Sequence, residues 1–220
     1  MVTVRGSEES VEARLQAGLL ACWCGGTLRP WGWARPRRVA TFAGMAGARP
    51  RRGICRDGCE KTHVLLPAWL LSRRRYAAPV IFAALALRAA GLKTAAVAAR
   101  LRLPSPGRPG QCWPVPASTA GSWLARFASR AGQLRQALTG LLPLIDPAGR
   151  VVAPAGSPAG DALAALDAVT AGLRRGFAGL ATVTAHEVAA HLTGGLLLAP
   201  PLPPLAGNTT LAGLAAVCPS

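Results

Sequence analysis

The chain has 220 residues, 51% of them apolar, which is enough to bury a core in one or two small domains. Its 25 Lys and Arg against 9 Asp and Glu give a formal net charge of +16, a balance that points to a polyanionic partner. The longest apolar runs, residues 76–87 and the proline-broken 192–206, fall short of the roughly 20 residues a bilayer crossing needs. Residues 7–13 are acidic, the wrong sign for the start of a signal peptide, so a cytoplasmic protein that makes no membrane contact is expected.

The charge is unevenly spread. Residues 29–130 hold 19 Lys or Arg and two acids, Asp57 and Glu60, whereas residues 131–220 hold four of each sign. A basic region followed by a neutral one suits a polyanion-binding part joined to something else.

Along the chain, residues 7–20 read as a short amphipathic helix. Ser7 or Ser10 can cap it, Glu8, Glu9 and Glu12 suit its positive N-terminal end, and Val11, Leu15, Leu19 and Leu20 form the apolar stripe. Next come two cysteine pairs, Cys22 with Cys24 and Cys55 with Cys59, separated by 30 residues rich in Arg, Trp and Gly. Two thiol pairs on such a spacer read as a four-cornered zinc site joining two hairpins, and in a reducing compartment metal or free thiol is favoured over disulfide. The spacings are C-x-C and C-x3-C, so a ribbon with buried free thiols and a disulfide stand as alternatives to zinc. Gly25, Gly26 and Gly58 suit the knuckle turns, and His63 is a substitute ligand or an ordinary partly buried histidine. Strands are expected over residues 27–33, 35–42 and 49–55, with turns at Gly44 and Gly47.

Residues 64–69 are apolar and extended, and the basic run Arg73, Arg74 and Arg75 reads as a phosphate clamp or a solvated helix start. Pro79 suits a first helical turn, with Gly91 ending that helix. A second helix covers residues 94–101, preceded by Lys93, which is an expected DNA contact. After a proline-rich loop over residues 102–117, a third helix starts at Ser118. This is the plan of a helix-turn-helix, whose third helix enters the major groove. Ser118, Thr119 and Ser122 would meet base edges, Arg126 a base or a phosphate, and Trp123 and Phe127 would face the core. The connection is about 16 residues, against the roughly 3–4 of that motif. Residues 134–142 continue in helix to Pro143, residues 146–160 read as a linker, Asp161 caps a further helix, and Thr184 with Glu187 forms a capping box. The prolines at 200–204 begin a poorly ordered tail.

Several runs resemble a known family. They are the segment from Cys22 to Arg38, the second cysteine pair with Thr62-His63-Val64-Leu65-Leu66-Pro67, and Ser118-Thr119 followed by Trp123-Leu124 and Arg126-Phe127. Together they resemble a bacterial family of unknown function that joins a zinc-ribbon-like N-terminus to a helix-turn-helix. They are more distantly similar to the N-terminal part of insertion-sequence transposases. The resemblance covers about residues 20–131, and less closely 194–199. It implies DNA association, with C-x-x-C at both knuckles and a short turn before Ser-Thr; this chain departs from it at all three places.

Catalysis is not expected. His186-Glu187 with His191 has the wrong spacing for H-E-x-x-H, and Asp146, Asp161, Asp167 and Glu187 lack the alternating strands of a nuclease. Cys112 and Cys218 have no base nearby in the sequence. The expected protein is mainly α with a small β zinc-ribbon-like module, a helix-turn-helix core and C-terminal helices. Its parts are an N-terminal helix (1–20), the ribbon (21–70), the helix-turn-helix region (71–145), a linker (146–160), and helices with a tail (161–220). Its expected partner is double-stranded DNA, and the C-terminal helices offer a homodimer contact. The competing expectation is a protein–protein interaction module with an incidental basic surface.

Overall fold

The computed structural model describes residues 1–108, 110–147 and 152–198. With 44% helix and 20% strand, it is an α/β protein, which corrects the expectation of a mainly α chain carrying a small β module. The difference lies in strands too short or too proline-rich to show a period-2 pattern, and in a sheet built from distant segments.

The four-stranded sheet has the order β1-β6-β5-β2. It comprises β1 (Val2–Val4), β2 (Leu28–Trp33), β5 (Arg51–Cys55) and β6 (Thr62–Pro67). β1 runs parallel to β6, while β6, β5 and β2 are antiparallel neighbours. Beyond β2 the ribbon continues into a second hairpin of β3 (Arg37–Thr41) and β4 (Gly44–Ala48). Thr41 turns it by accepting from the Ala43 amide at 3.1 Å and donating to the Gly44 carbonyl at 2.8 Å. Gly47 therefore lies within β4 and not at the expected turn. This outer hairpin docks on the helices through Ala40, whose amide donates to Arg75 and whose carbonyl accepts from Ala77.

Helix α1 (Glu8–Gln16) packs on the sheet with Leu15 fully buried. Ser7 caps it, as expected, by accepting from the Ser10 amide. It stops before residue 20 because Gly18 takes φ of +72° and Leu20 turns to pair with Leu28. Glu12 and Arg51 tie the helix to β5 at 2.6 Å.

The next three helices are α2 (Ala78–Ala89), α3 (Thr94–Arg100) and α4 (Ala117–Ala128). Gly91, at φ of +90°, follows α2. The long connection between α3 and α4 is an inserted hairpin of β7 (Arg102–Pro104) and β8 (Cys112–Pro114), where a loop was expected. Its base closes where the Val115 amide donates to the Leu101 carbonyl at 3.0 Å. The end of α3 and the approach to α4 are thereby adjacent, as they would be with a short turn, despite the intervening residues. Tyr76 locks the insertion to the helices, with ring centres 6.2 Å from Trp113 and 4.9 Å from Trp123.

Helix α5 (Ala131–Ile145) runs past Pro143, which was expected to end it. Helix α6 (Pro158–Gly176) lies alongside and parallel to it: Arg135 pairs with Asp161 near both starts, and Gly172 abuts Ile145 near both ends. The cap of α6 is Ser157; Asp161, the expected cap, accepts from the Ala155 amide at 2.7 Å instead. A 3₁₀ turn (Ala178–Leu180) leads to α7 (Ala185–Leu192), which carries the Thr184–Glu187 capping box read from the sequence. The expected tail at 200–220 and Cys218 lie outside the described residues.

Among the described residues there are two hydrophobic clusters. The larger joins α2 to α7 with Val39, Ala40, Ala48, Leu66, Leu70 and Leu71. The smaller holds only Val4, Val11, Leu15, Leu20, Cys22, Leu28, Cys55 and Leu65 under α1. The turn after α7 ties the segment ahead of α2 to the junction of α4 and α5. The Gly195 carbonyl accepts from the Ser72 amide, Arg74 donates to Leu198, and Arg130 donates to Leu196 and Leu197.

Candidate metal centre and basic surface

The first knuckle is built where Ala21 bridges to Thr27 and the Cys22 amide donates to the Gly26 carbonyl at 2.7 Å. The second follows β5, where the Cys55 amide donates to Lys61 at 3.0 Å. These two turns bring the sulfurs of Cys22, Cys24, Cys55 and Cys59 to within 4.8 Å of one another. Two pairs cross between knuckles at hydrogen-bonding distance, Cys22 to Cys59 at 3.6 Å and Cys24 to Cys55 at 3.5 Å. A tetrahedral ion with metal–sulfur bonds of about 2.3 Å sets its sulfurs about 3.8 Å apart, so the four thiols are spaced to hold a metal ion. The separations are far from the S–S bond of about 2.05 Å in a disulfide, and the four cysteines are free.

Two glycines make this approach possible, and their role is not visible in the knuckle spacing. A Cβ on Gly26 would lie 2.6 Å from the Cys55 sulfur, and one on Gly58 would lie 2.7 Å from the Cys24 sulfur. Each glycine thus admits a sulfur from the opposite knuckle. His63, on β6, sets Nε2 3.1 Å from the Cys22 sulfur and 4.0 Å from that of Cys59. It sits beside the cluster, in the position of a hydrogen-bonding neighbour that orients a ligand.

The electrostatics favour a cation. Backbone N–H groups of Gly26 and Cys59 hold the exposed Cys24 thiol down to about 6, whereas burial pushes Cys22 up to about 12 and raises Cys55 as well. Were all four ionised at these separations they would repel one another, and a bound cation would remove that repulsion.

The expected DNA-contacting residues lie on the helical half. On α4, Ser118, Ser122 and Arg126 form an exposed row, Thr119 is half-buried, and Ala120, Trp123 and Phe127 face the core. Arg126 Nε donates to the Ser122 hydroxyl at 3.3 Å. Lys93 is exposed at the start of α3; Arg102, which is not among the expected contacts, is also exposed, at the base of the inserted hairpin. The basic run is splayed: Arg73, at φ of +57°, and Arg75 are exposed, while Arg74 turns inward to the Leu198 carbonyl at 2.6 Å. Arg130 is 8% exposed and likewise committed to backbone carbonyls. These two inward arginines adjoin Arg126 and add to the positive field there. Sequence patterning could not separate Arg74 from its neighbours, because its partner lies 124 residues away.

The histidines flagged near the C-terminus do not converge. His186 Nε2 meets the Thr184 hydroxyl at 3.2 Å, whereas His191 is buried, and that burial holds it at about 4.

The fold and site define an α/β protein with a four-cysteine cluster able to hold a metal ion and an arginine-rich helical surface. Among the described residues no helix is long and apolar enough to cross a membrane. No family model, curated protein or solved structure matches the chain.

Proposed function

We propose that this is a duplex-DNA-binding protein whose N-terminal ribbon is held by one zinc ion on Cys22, Cys24, Cys55 and Cys59. A four-thiolate tetrahedral set selects zinc among the common divalent ions, and a centre with four protein ligands is structural because no position stays open for a substrate. In this reading α4 enters the major groove in the manner of a helix-turn-helix reading helix. Ser118 and Ser122 meet base edges, and Arg126 meets a base or a phosphate. Arg73, Arg75, Lys93 and Arg102 hold the backbone, which positions the protein without reading sequence.

The observation that carries this reading is the exposed Ser118–Ser122–Arg126 row on a helix whose other face is locked into the core. It stands within residues 61–145, a stretch without a single acid. The resemblance to the zinc-ribbon and helix-turn-helix family, and to the N-terminal part of insertion-sequence transposases, supports a DNA-directed role of this kind in the cytoplasm.

The test is fluorescence anisotropy with a labelled duplex at low salt. Arg126→Ala should weaken binding about tenfold, the loss expected for one removed base or phosphate contact of roughly 1–3 kcal/mol. Arg135→Ala, which removes only an exposed pair with Asp161 on α5 and α6, should bind as the parent chain does. Equal affinity of the parent chain and Arg126→Ala would remove α4 from the interface.

A further inference from the structure

The edge strand β2 carries two tryptophans that neither hydrophobic cluster uses. Trp31 is 52% exposed and Trp33 is 45% exposed. Along β2 the exposed positions are Arg29, Trp31 and Trp33, alternating with Leu28, Pro30 and Gly32. Pro30 pairs with Gly53 and Gly32 with Arg52, so Trp31 falls in a bulge and has no cross-strand partner. A bulge re-aims a side chain and disrupts edge pairing. Here it turns an indole to solvent, where it adds nothing to the core.

Arginines surround these rings, with Glu12, paired to Arg51, beside Trp33. The Arg56 guanidinium lies 5.7 Å from the Trp31 ring centre, and Arg51 and Arg49 lie 4.6 and 5.7 Å from that of Trp33. Residues 28–56 contain eight arginines and no acid. Among the described residues only one of the eight, Arg51, is in an ion pair. The Nε of Arg52, which sits opposite Gly32, is buried with no hydrogen-bond partner.

We propose that the β2 edge binds unpaired nucleic acid, with a base stacking on the bulged Trp31 and phosphates held by Arg29 and Arg56, while Trp33 offers a second ring on the other face beside Arg49. Every base has a π-face, so projecting aromatic rings bind single strands with little sequence preference, and flanking arginines track the backbone. A duplex keeps its bases stacked inside, so these rings would find no free base face on it. An acidic protein partner would satisfy the arginines but leave the two indoles without a matching surface. This surface rests on the reading above only in taking nucleic acid as the partner. It adds a second ligand form, unpaired strand, at a site separate from α4.

The test uses the full zinc-loaded chain and two fluorescein-labelled probes, a 12-nucleotide strand without self-complementarity and the duplex of the same sequence. Trp31→Ala should weaken single-strand binding about tenfold, one lost stacking contact, and change duplex affinity less than twofold. Trp31→Phe, which keeps a ring, should recover most of the loss. Arg126→Ala should do the reverse, weakening duplex binding and sparing the single strand. Trp31→Ala binding the single strand like the parent chain would overturn the proposal, as would equal losses on both probes. Failure of the α4 reading alone would show instead as Arg126→Ala leaving duplex binding intact.

Discussion

Replacing Cys55 with serine should abolish stoichiometric zinc binding and unfold the N-terminal sheet. Cys55 is fully buried and ends β5, and its sulfur meets both the Cys24 sulfur and the close approach of Gly26. The cluster beneath α1 contains eight residues, two of them proposed ligands, so apart from the Glu12–Arg51 ion pair little else holds β2 and β5 to that helix. Structural zinc in small modules supplies about 10 kcal/mol or more of binding free energy, comparable to the whole stability of a typical domain, about 5–15 kcal/mol. Chelation should have the same effect, and Gly26→Ala should approach it, since its Cβ would displace the Cys55 sulfur. Cys112→Ser is the matched control, because Cys112 is exposed on β8, outside the cluster. Native mass spectrometry for zinc, paired with thermal melts, separates the cases. A Cys55→Ser chain that melts like the parent would mean that the ribbon stands without its metal.

Arg130→Ala should lower stability by roughly 3 kcal/mol, since hydrogen bonds from a charged group contribute about 1.5–3 kcal/mol each. Arg130 Nη1 lies 3.0 Å from the carbonyls of both Leu196 and Leu197, and the residue is 8% exposed. Truncation leaves those carbonyls unpaired at the turn that also accepts from Ser72 and Arg74. For a chain of this size the loss corresponds to a drop of about 6–12 °C in melting temperature. Arg130→Lys should recover only part of it, because a single ammonium lacks the fork of donors that a guanidinium offers. A melt unchanged by Arg130→Ala would contradict this role.

These two expectations also mark how much was legible in the sequence. The cysteine quartet could be read despite its odd spacings, because thiol pairs flanked by glycines are a local signal. The faces of α4, the Thr184–Glu187 capping box and the Gly91 stop are local as well, set by side-chain period and cap chemistry within a few residues. The parallel pairing of β1 with β6 could not be read: Val2, Thr3 and Val4 are too few to show alternation, and their partners lie 63 residues on. The inserted hairpin was hidden by prolines that usually mark loops, since Pro104 and Pro114 end its strands. The parallel packing of α5 on α6 depends on where residues 146–157 return, which composition does not encode. Arg74 and Arg130 looked like the other arginines of a basic stretch, and only their distant carbonyl partners distinguish them. The helical bias of the earlier expectation came from these same long-range strands being invisible one window at a time.

The most direct measurement is the salt dependence of duplex binding by the full chain. On the proposed reading, the five exposed cations Arg73, Arg75, Lys93, Arg102 and Arg126 would neutralise about five phosphates, which gives a slope of log affinity against log salt near −4.5. A slope of that size, reduced by about one in Arg126→Ala, is the expected result. A salt-insensitive curve, or no duplex binding at low salt, would contradict DNA binding as the function of this basic surface.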